Sequence, residues 1–157
     1  MIRSLLTLLA AVCALGASQA FAQCSTDRVD IRGDWGQARF SVDVADDPAE
    51  RSQGLMNVPS MPLSTGMLFV YDRPQRATFW MRNTLIPLDM IFLGPNGQVT
   101  RVHENAQPLD ETTIDGGPGV QFVLEINGGL SAQIGIGPGD ELRHPAINDD
   151  DAAWPCE

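Results

Sequence analysis

Polar and apolar residues alternate along much of this chain, with the two-residue period of strands rather than the longer period of helices. Over 39–45, Phe40, Val42 and Val44 fall on one face and Arg39, Ser41 and Asp43 on the other, which predicts a half-buried strand. Asp46-Asp47-Pro48 then predicts a helix start, with Asp47 as cap and Pro48 in the first turn. That helix is short, ending near Met56, and Gly54 weakens it. A Pro-rich loop follows over 58–64, and apolar runs over 66–71 and 77–81 predict two strands around a turn at Asp72-Arg73-Pro74. Residues 85–93 and 98–103, joined by Gly94-Pro95-Asn96-Gly97, predict a β-hairpin in which Pro87 marks a bulge or an edge. A polar loop over 104–118, a strand over 120–126, one or two helical turns over 129–134 and a last strand over 141–144 complete the set. Six or seven short strands with no internal repeat predict a single mostly-β domain. It is expected to be a β-sandwich or a partly closed barrel with one or two short helices. No long amphipathic helix separates the strands, which disfavours a parallel α/β architecture.

The first 22 residues follow a different pattern. Arg3 precedes an apolar stretch over 5–15, and Ala20-Phe21-Ala22 supplies a small-x-small cleavage pattern. This predicts a secretory signal peptide cut after Ala22, so the protein is expected to be exported and to be periplasmic or secreted. A membrane anchor is the alternative, but the apolar run is short for a span and no later stretch is long and apolar enough to cross. The expected organisation is a signal peptide over 1–22, an N-terminal extension over 23–36, a β domain over 37–145 and an acidic tail over 146–157. The tail is expected to be mobile unless Cys156 pins it.

Composition narrows the function classes. With 43% hydrophobic and 19% charged residues, the chain has globular composition. Its 10 basic residues, all Arg, stand against 20 acidic ones, for a net charge of -10. That balance argues against nucleic acid and anionic lipid as partners, both of which need a cationic surface. Cys13 leaves with the signal peptide, and Cys24 and Cys156 remain near the two ends. An even pair in an oxidising compartment predicts one disulfide between the termini. Pairing between molecules and a lipid anchor on Cys24 are the alternatives, although Gln23 is a poor residue before a lipidated Cys.

The densest chemistry lies in Glu50-Arg51-x-x-Gly54-Leu55-Met56, Gly66-Met67-Leu68-Phe69 and Trp80-Met81-Arg82-Asn83-Thr84-x-x-Pro87-Leu88-Asp89. Val123-Leu124-Glu125-Ile126-Asn127-Gly128-Gly129 and Gly135-x-x-Pro138-Gly139-Asp140 follow. In order and spacing these runs resemble the bacterial and archaeal family called domain of unknown function 192, over about residues 37–145. The resemblance implies a compact β-sandwich-like fold, often exported, and no established reaction. Arg82 departs from the Lys common in that family, keeping the charge but not the hydrogen-bond geometry.

Asp89 sits in an apolar run, so its carboxylate must be paired or lose its charge. One reading is a buried Arg51–Asp89 bridge that fixes the helix against the sheet. The other is a binding pocket in which Asp89 meets Trp80, Arg82, Asn83 and Thr84, with Arg51 nearby. Trp80 is either core or an exposed ring suited to stacking on a sugar. Glu125 is either on a solvated sheet face or a second carboxylate facing Asp89, which would make an acid/base pair for glycoside hydrolysis. Met56, Met61, Met67, Met81 and Met90 could offer soft sulfur to copper, but they lack regular spacing and suit core packing. His103 and His144 lack the spacing of a zinc site, and no metal or cofactor is expected. The expected function is a non-catalytic binding domain for a carbohydrate or cell-envelope ligand near Trp80–Asp89. A hydrolase using Asp89 and Glu125, or a structural or protein-interaction module of the envelope, are the alternatives.

Overall fold

The computed structural model describes residues 24–156, so the signal-peptide segment lies outside the described residues. Nine strands and two short helices follow one another along the chain. Strands β1 (Arg28–Gly33) and β2 (Gly36–Ala45) form a hairpin, and α1 (Pro48–Gln53) leads to β3 (Thr65–Gln75). A short β4 (Thr78–Phe79) precedes the β5 (Leu88–Leu93) and β6 (Val99–Ala106) hairpin. Then come β7 (Ile114–Asp115), β8 (Val120–Asn127), α2 (Leu130–Ile134) and β9 (Glu141–Arg143). Seven strands make one sheet in the order β6-β5-β8-β3-β2-β1-β9, while β4 and β7 pair separately. The sheet curls into a half-barrel, the partly closed form of the expected mostly-β fold. Its two edges meet at one end, where Val99 N–H donates to Asp140 O and Leu142 N–H donates to Gly97 O, both at 2.8 Å. Gly97 permits that approach: its φ is +78°, and a Cβ there would lie 2.5 Å from Leu142 O.

Both faces of the sheet are covered. Val29, Ile31, Phe40, Leu68, Ile91 and Leu124 pack on one face, and Phe69, Met90, Phe92 and Val123 pack on the other with Leu55, Met81 and Ile86. The second face is covered because β2 and β3 are parallel, and a parallel pair requires a crossover. Residues 46–64 make that crossover and bring Leu55, Val58 and Met61 down onto the sheet. One parallel pair therefore exists despite the absence of a long helix. Its short α1 is held by a capping box, with Asp47 accepting from Ala49 and Glu50 N–H and Glu50 reaching back to Asp47 N–H.

Several local expectations change. Residues 28–33, expected within the N-terminal extension, form an inner strand whose Val29 and Ile31 are fully buried. β3 runs on through the expected turn at residues 72–74, with a bulge against β8 between Val70 and Gln75. Pro87 precedes β5, which is not an edge strand but lies between β6 and β8, and the β5–β6 pairing is irregular just after it, between Leu88 and Met90. Cys156 pins the acidic tail, the condition under which it is expected to be held. Ile147 is buried, and Trp154 stacks against Arg32 and Arg143 at 4.4 and 4.3 Å. Cys24 and Cys156 form the expected disulfide, with Cα atoms 5.4 Å apart. Nearby, buried Asp30 accepts from Arg39 Nε at 2.6 Å and from Arg143 Nη2 at 2.9 Å, joining β2, β1 and β9. Burial alone would raise the Asp30 pKa, but the two guanidinium groups outweigh it and hold the carboxyl below its ordinary value.

Asp89 is fully buried and takes neither expected role. Its carboxylate accepts from the backbone N–H groups of Asn105, Gly129 and Ser131 and from Ser131 Oγ, each at 2.7 Å. Arg51 donates instead to Val70 O and Asp46 O, and Asp89 faces away from the Trp80 segment. It ties the end of β6 and the start of α2 to β5. Asp89→Asn puts an amide donor among these donors, which should cost about 3 kcal/mol by urea unfolding. A loss below about 1 kcal/mol would show that the cluster does not hold these elements together. Cys24→Ser/Cys156→Ser opens a loop spanning 132 positions. It should lower stability by up to about 5 kcal/mol, read as the same loss when the wild type is reduced.

Candidate functional site

The crossover and the segment after β4 do not close completely over the sheet. Between them lies a cleft of about 260 Å³ lined by Arg51, Leu55, Met56, Phe69, Tyr71, Thr78, Phe79, Trp80, Thr84 and Glu125, among others. Its floor is the sheet face that carries Met67, Glu125 and Met90 side by side, since Glu125 pairs with Met67 of β3 and Met90 of β5.

Glu125 is only 4% exposed, so the expectation of a solvated sheet face is corrected. The crossover covers that face, which alternation within one strand does not reveal. Among the described residues no donor sits on its carboxyl group, yet no buried side-chain oxygen or nitrogen there is left unpartnered, so the carboxyl edge opens to the cleft. Burial pushes its pKa up to about 8, so the group is chiefly protonated at neutral pH.

Arg51 forms one wall. Its Nη1 donates to Val70 O at 2.9 Å, which ties α1 to β3, and to Asp46 O just before the helix. Its guanidinium also lies 5.2 Å from the Tyr71 ring. Burial raises the Tyr71 pKa; Arg51 opposes that shift and the Glu125 charge adds to it. Tyr71 therefore senses both charged groups, although Arg51 and Glu125 make no ion pair.

Trp80 stands at the rim, 46% exposed, with the Arg82 guanidinium 5.4 Å from its ring. Thr84 is buried, and its hydroxyl donates to Arg82 O at 3.3 Å. Asn83 is exposed with φ at +54°, and its carbonyl accepts from Asn57 N–H at 2.8 Å. Asn57 and Leu109 also have positive φ, and Leu109 N–H donates to Thr84 O at 3.1 Å. A left-handed Leu is strained, so the rim segment is held in place at a conformational cost.

The structure thus brings Arg51, Trp80, Thr84 and Glu125 to one cleft, with Arg82 and Asn83 at its rim. It excludes Asp89, because Asp89 is opposite Ile126 in register while Glu125 is opposite Met90. Adjacent positions on a strand face opposite sides, so the two carboxylates lie on opposite faces of the sheet. An Asp89/Glu125 acid/base pair is therefore ruled out. The cleft residue that sequence reasoning missed is Tyr71, whose position at the end of an apolar run was the available signal. Met81 and Met90 are core residues, and Met61 and Met67 pack beside them. His144 accepts at Nδ1 from Ala146 N–H, leaving Nε2 to donate to Thr26 O at 3.1 Å.

A buried acid with a raised pKa makes stability depend on pH. Between the unfolded carboxyl's pKa, near 4.5, and about 8, the unfolded chain has released a proton that the folded chain retains. The Glu125 contribution to stability is therefore complete below that window and lost progressively as pH rises across it. Glu125→Gln should match wild type at low pH and exceed it by about 3–5 kcal/mol at pH 8. Urea unfolding across the window checks this, and a pH-independent difference between the two proteins would refute it.

No curated protein matches the chain. Several solved structures share its fold. A protein of unknown function from Novosphingobium aromaticivorans is 43% identical, with a TM-score of 0.73 over 74% of this chain and 83% of that one. A protein from Sinorhizobium meliloti, described as a candidate transcription regulator, is 36% identical, with a TM-score of 0.75 over 80% of this chain and 98% of that one. The profile of the domain of unknown function 192, an uncharacterized ACR, matches residues 29–144, taking in β1 as well as the cleft. The chain belongs to that family.

Proposed function

We propose that this protein is an exported, non-catalytic binding domain and that the Glu125 cleft holds its ligand, a carbohydrate or cell-envelope glycan unit of about one ring. The observation that carries this reading is the Glu125 carboxyl, nearly sealed, facing the cleft and without a protein donor. Its open edge leaves a hydrogen-bonding position that a ligand hydroxyl can take in place of water. The protonated acid can both donate and accept, as can the Tyr71 and Thr78 hydroxyls in the same lining. The half-exposed Trp80 offers a flat apolar surface at the rim, as ring stacking requires. At about 260 Å³ the cleft is slightly smaller than the roughly 300–1,000 Å³ typical of drug-sized ligands, which favours a single ring over a long segment.

Export is supported by the cleavable-looking N-terminus and by the disulfide, which persists in an oxidising compartment. Glycoside hydrolysis is not favoured, because the second carboxylate lies on the other sheet face. The regulator description of the Sinorhizobium protein is not carried over, because a net charge of -10 opposes binding to a phosphate backbone.

A panel of neutral and acidic monosaccharides and short envelope-glycan fragments tests the reading by thermal denaturation. At least one should raise the Tm by about 2 °C or more, and Trp80→Ala should remove the shift. No shift with any member, or an equal shift in Trp80→Ala, would sink the proposal.

A further inference from the structure

Arg51 is the cleft's basic residue and Glu125 its acidic one, and the protein keeps them apart. Two backbone carbonyls, Asp46 O and Val70 O, hold one end of the Arg51 guanidinium. Those carbonyls are neutral, so the positive charge of Arg51 is oriented but not cancelled. Arg82 adds a second guanidinium at the rim, against Trp80. Within an acidic protein, this opening has a local cationic bias.

We infer that the ligand of this cleft is an acid, a single sugar-sized ring bearing one carboxylate, which Arg51 binds while the unpartnered Glu125 carboxyl donates to the rest of the ring. This rests on the binding reading above and adds the ligand's charge to it. Arg51 suits a carboxylate because its planar fork still has Nη2 and Nε donors beyond the Nη1 bonds to the main chain. A cationic ring would be repelled at Arg51. A neutral ring would leave that charge without a counterion in a partly desolvated cleft.

The groups that face Glu125 define the expected pH response. Tyr71 faces it from β3 and Thr78 from β4, while Met67 and Met90 flank it on the sheet. His103 lies one strand further out, opposite Met90, and Arg51 approaches from α1. The Tyr71 hydroxyl is raised above its ordinary value and stays neutral through pH 9. Loss of the Glu125 proton is therefore the change in the cleft expected above neutral pH, and it places a second negative charge beside the ligand.

Calorimetric titration of the disulfide-bonded chain with glucuronate, glucose and glucosamine separates the possibilities, because the three share a ring and differ in charge. At about pH 7, glucuronate should bind at least about tenfold more tightly than the other two. Its affinity should fall about fivefold by about pH 9.5 in wild type and stay level in Glu125→Gln. Arg51→Gln should abolish the preference for the acid. The isosteric Glu125→Gln profile stands on its own if Arg51→Gln does not fold. Equal or tighter binding of glucose or glucosamine overturns the acidic-ligand inference and leaves the cleft reading intact. Glucuronate binding that neither variant alters places the anion elsewhere and overturns the inference. Binding by none of the three sugars overturns the acidic-ligand inference, and failure of the wider glycan panel as well removes the cleft reading.

Discussion

Burial of the sheet's central strands on both faces governs the polar groups they carry. All six residues of β5 are buried, and most of β8 is as well. A carboxyl group there must find donors inside the protein or give up its charge. Three carboxyls meet that constraint in three ways. Asp89 recruits three backbone N–H groups and a serine hydroxyl, drawing the end of β6 and the start of α2 onto β5. Asp30 recruits two arginines and joins three strands at the opposite side of the sheet. Glu125 recruits nothing and holds its proton. The first two are solutions to folding. The third keeps a protonated carboxyl at the wall of the cleft, and the proposed binding reading rests on that group.

The cleft's position follows from topology. A parallel β2–β3 pair in an otherwise antiparallel sheet forces the chain to cross a face between them. The crossover covers most of that face with Leu55, Val58 and Met61, and the gap it leaves is over Glu125. The opposite rim is a loop pinned from two sides, with Asn57 N–H on Asn83 O and Leu109 N–H on Thr84 O. Three non-glycine residues at positive φ sit in those contacts, so the rim is fixed in a strained shape.

The elements legible in the sequence were those specified by local chemistry. The capping box announced α1, the glycine turn announced the β5–β6 hairpin, and the cysteine pair announced the closure of the termini. β1 escaped because its apolar residues, Val29 and Ile31, are spread among charged ones whose partners, Arg39, Arg143 and Glu141, lie on other strands. In the tail the disulfide was legible, but the stacking of Trp154 on two arginines was not, since those arginines lie on β1 and β9. At the site, a charge rule nominated Arg51 for Asp89. The actual donors are mostly main-chain N–H groups, which every residue carries and which leave no mark in the sequence. Alternation placed Glu125 correctly on the face opposite Leu124 and Ile126, but only the crossover decides that this face is dry.

Arg51 shows why the cleft remains open rather than collapsing into an ion pair. A mobile arginine near a buried glutamate would swing over and neutralise it, and the glutamate's pKa would fall. Here the guanidinium is tethered to Asp46 O and Val70 O and lies against the Tyr71 ring. The hydrogen bond to Val70 O that docks α1 on β3, with the one to Asp46 O, therefore holds the cation away from the acid. Helix docking and site preorganisation are thus one interaction, and whatever enters meets both groups already in place, with no side-chain ordering left to oppose binding there.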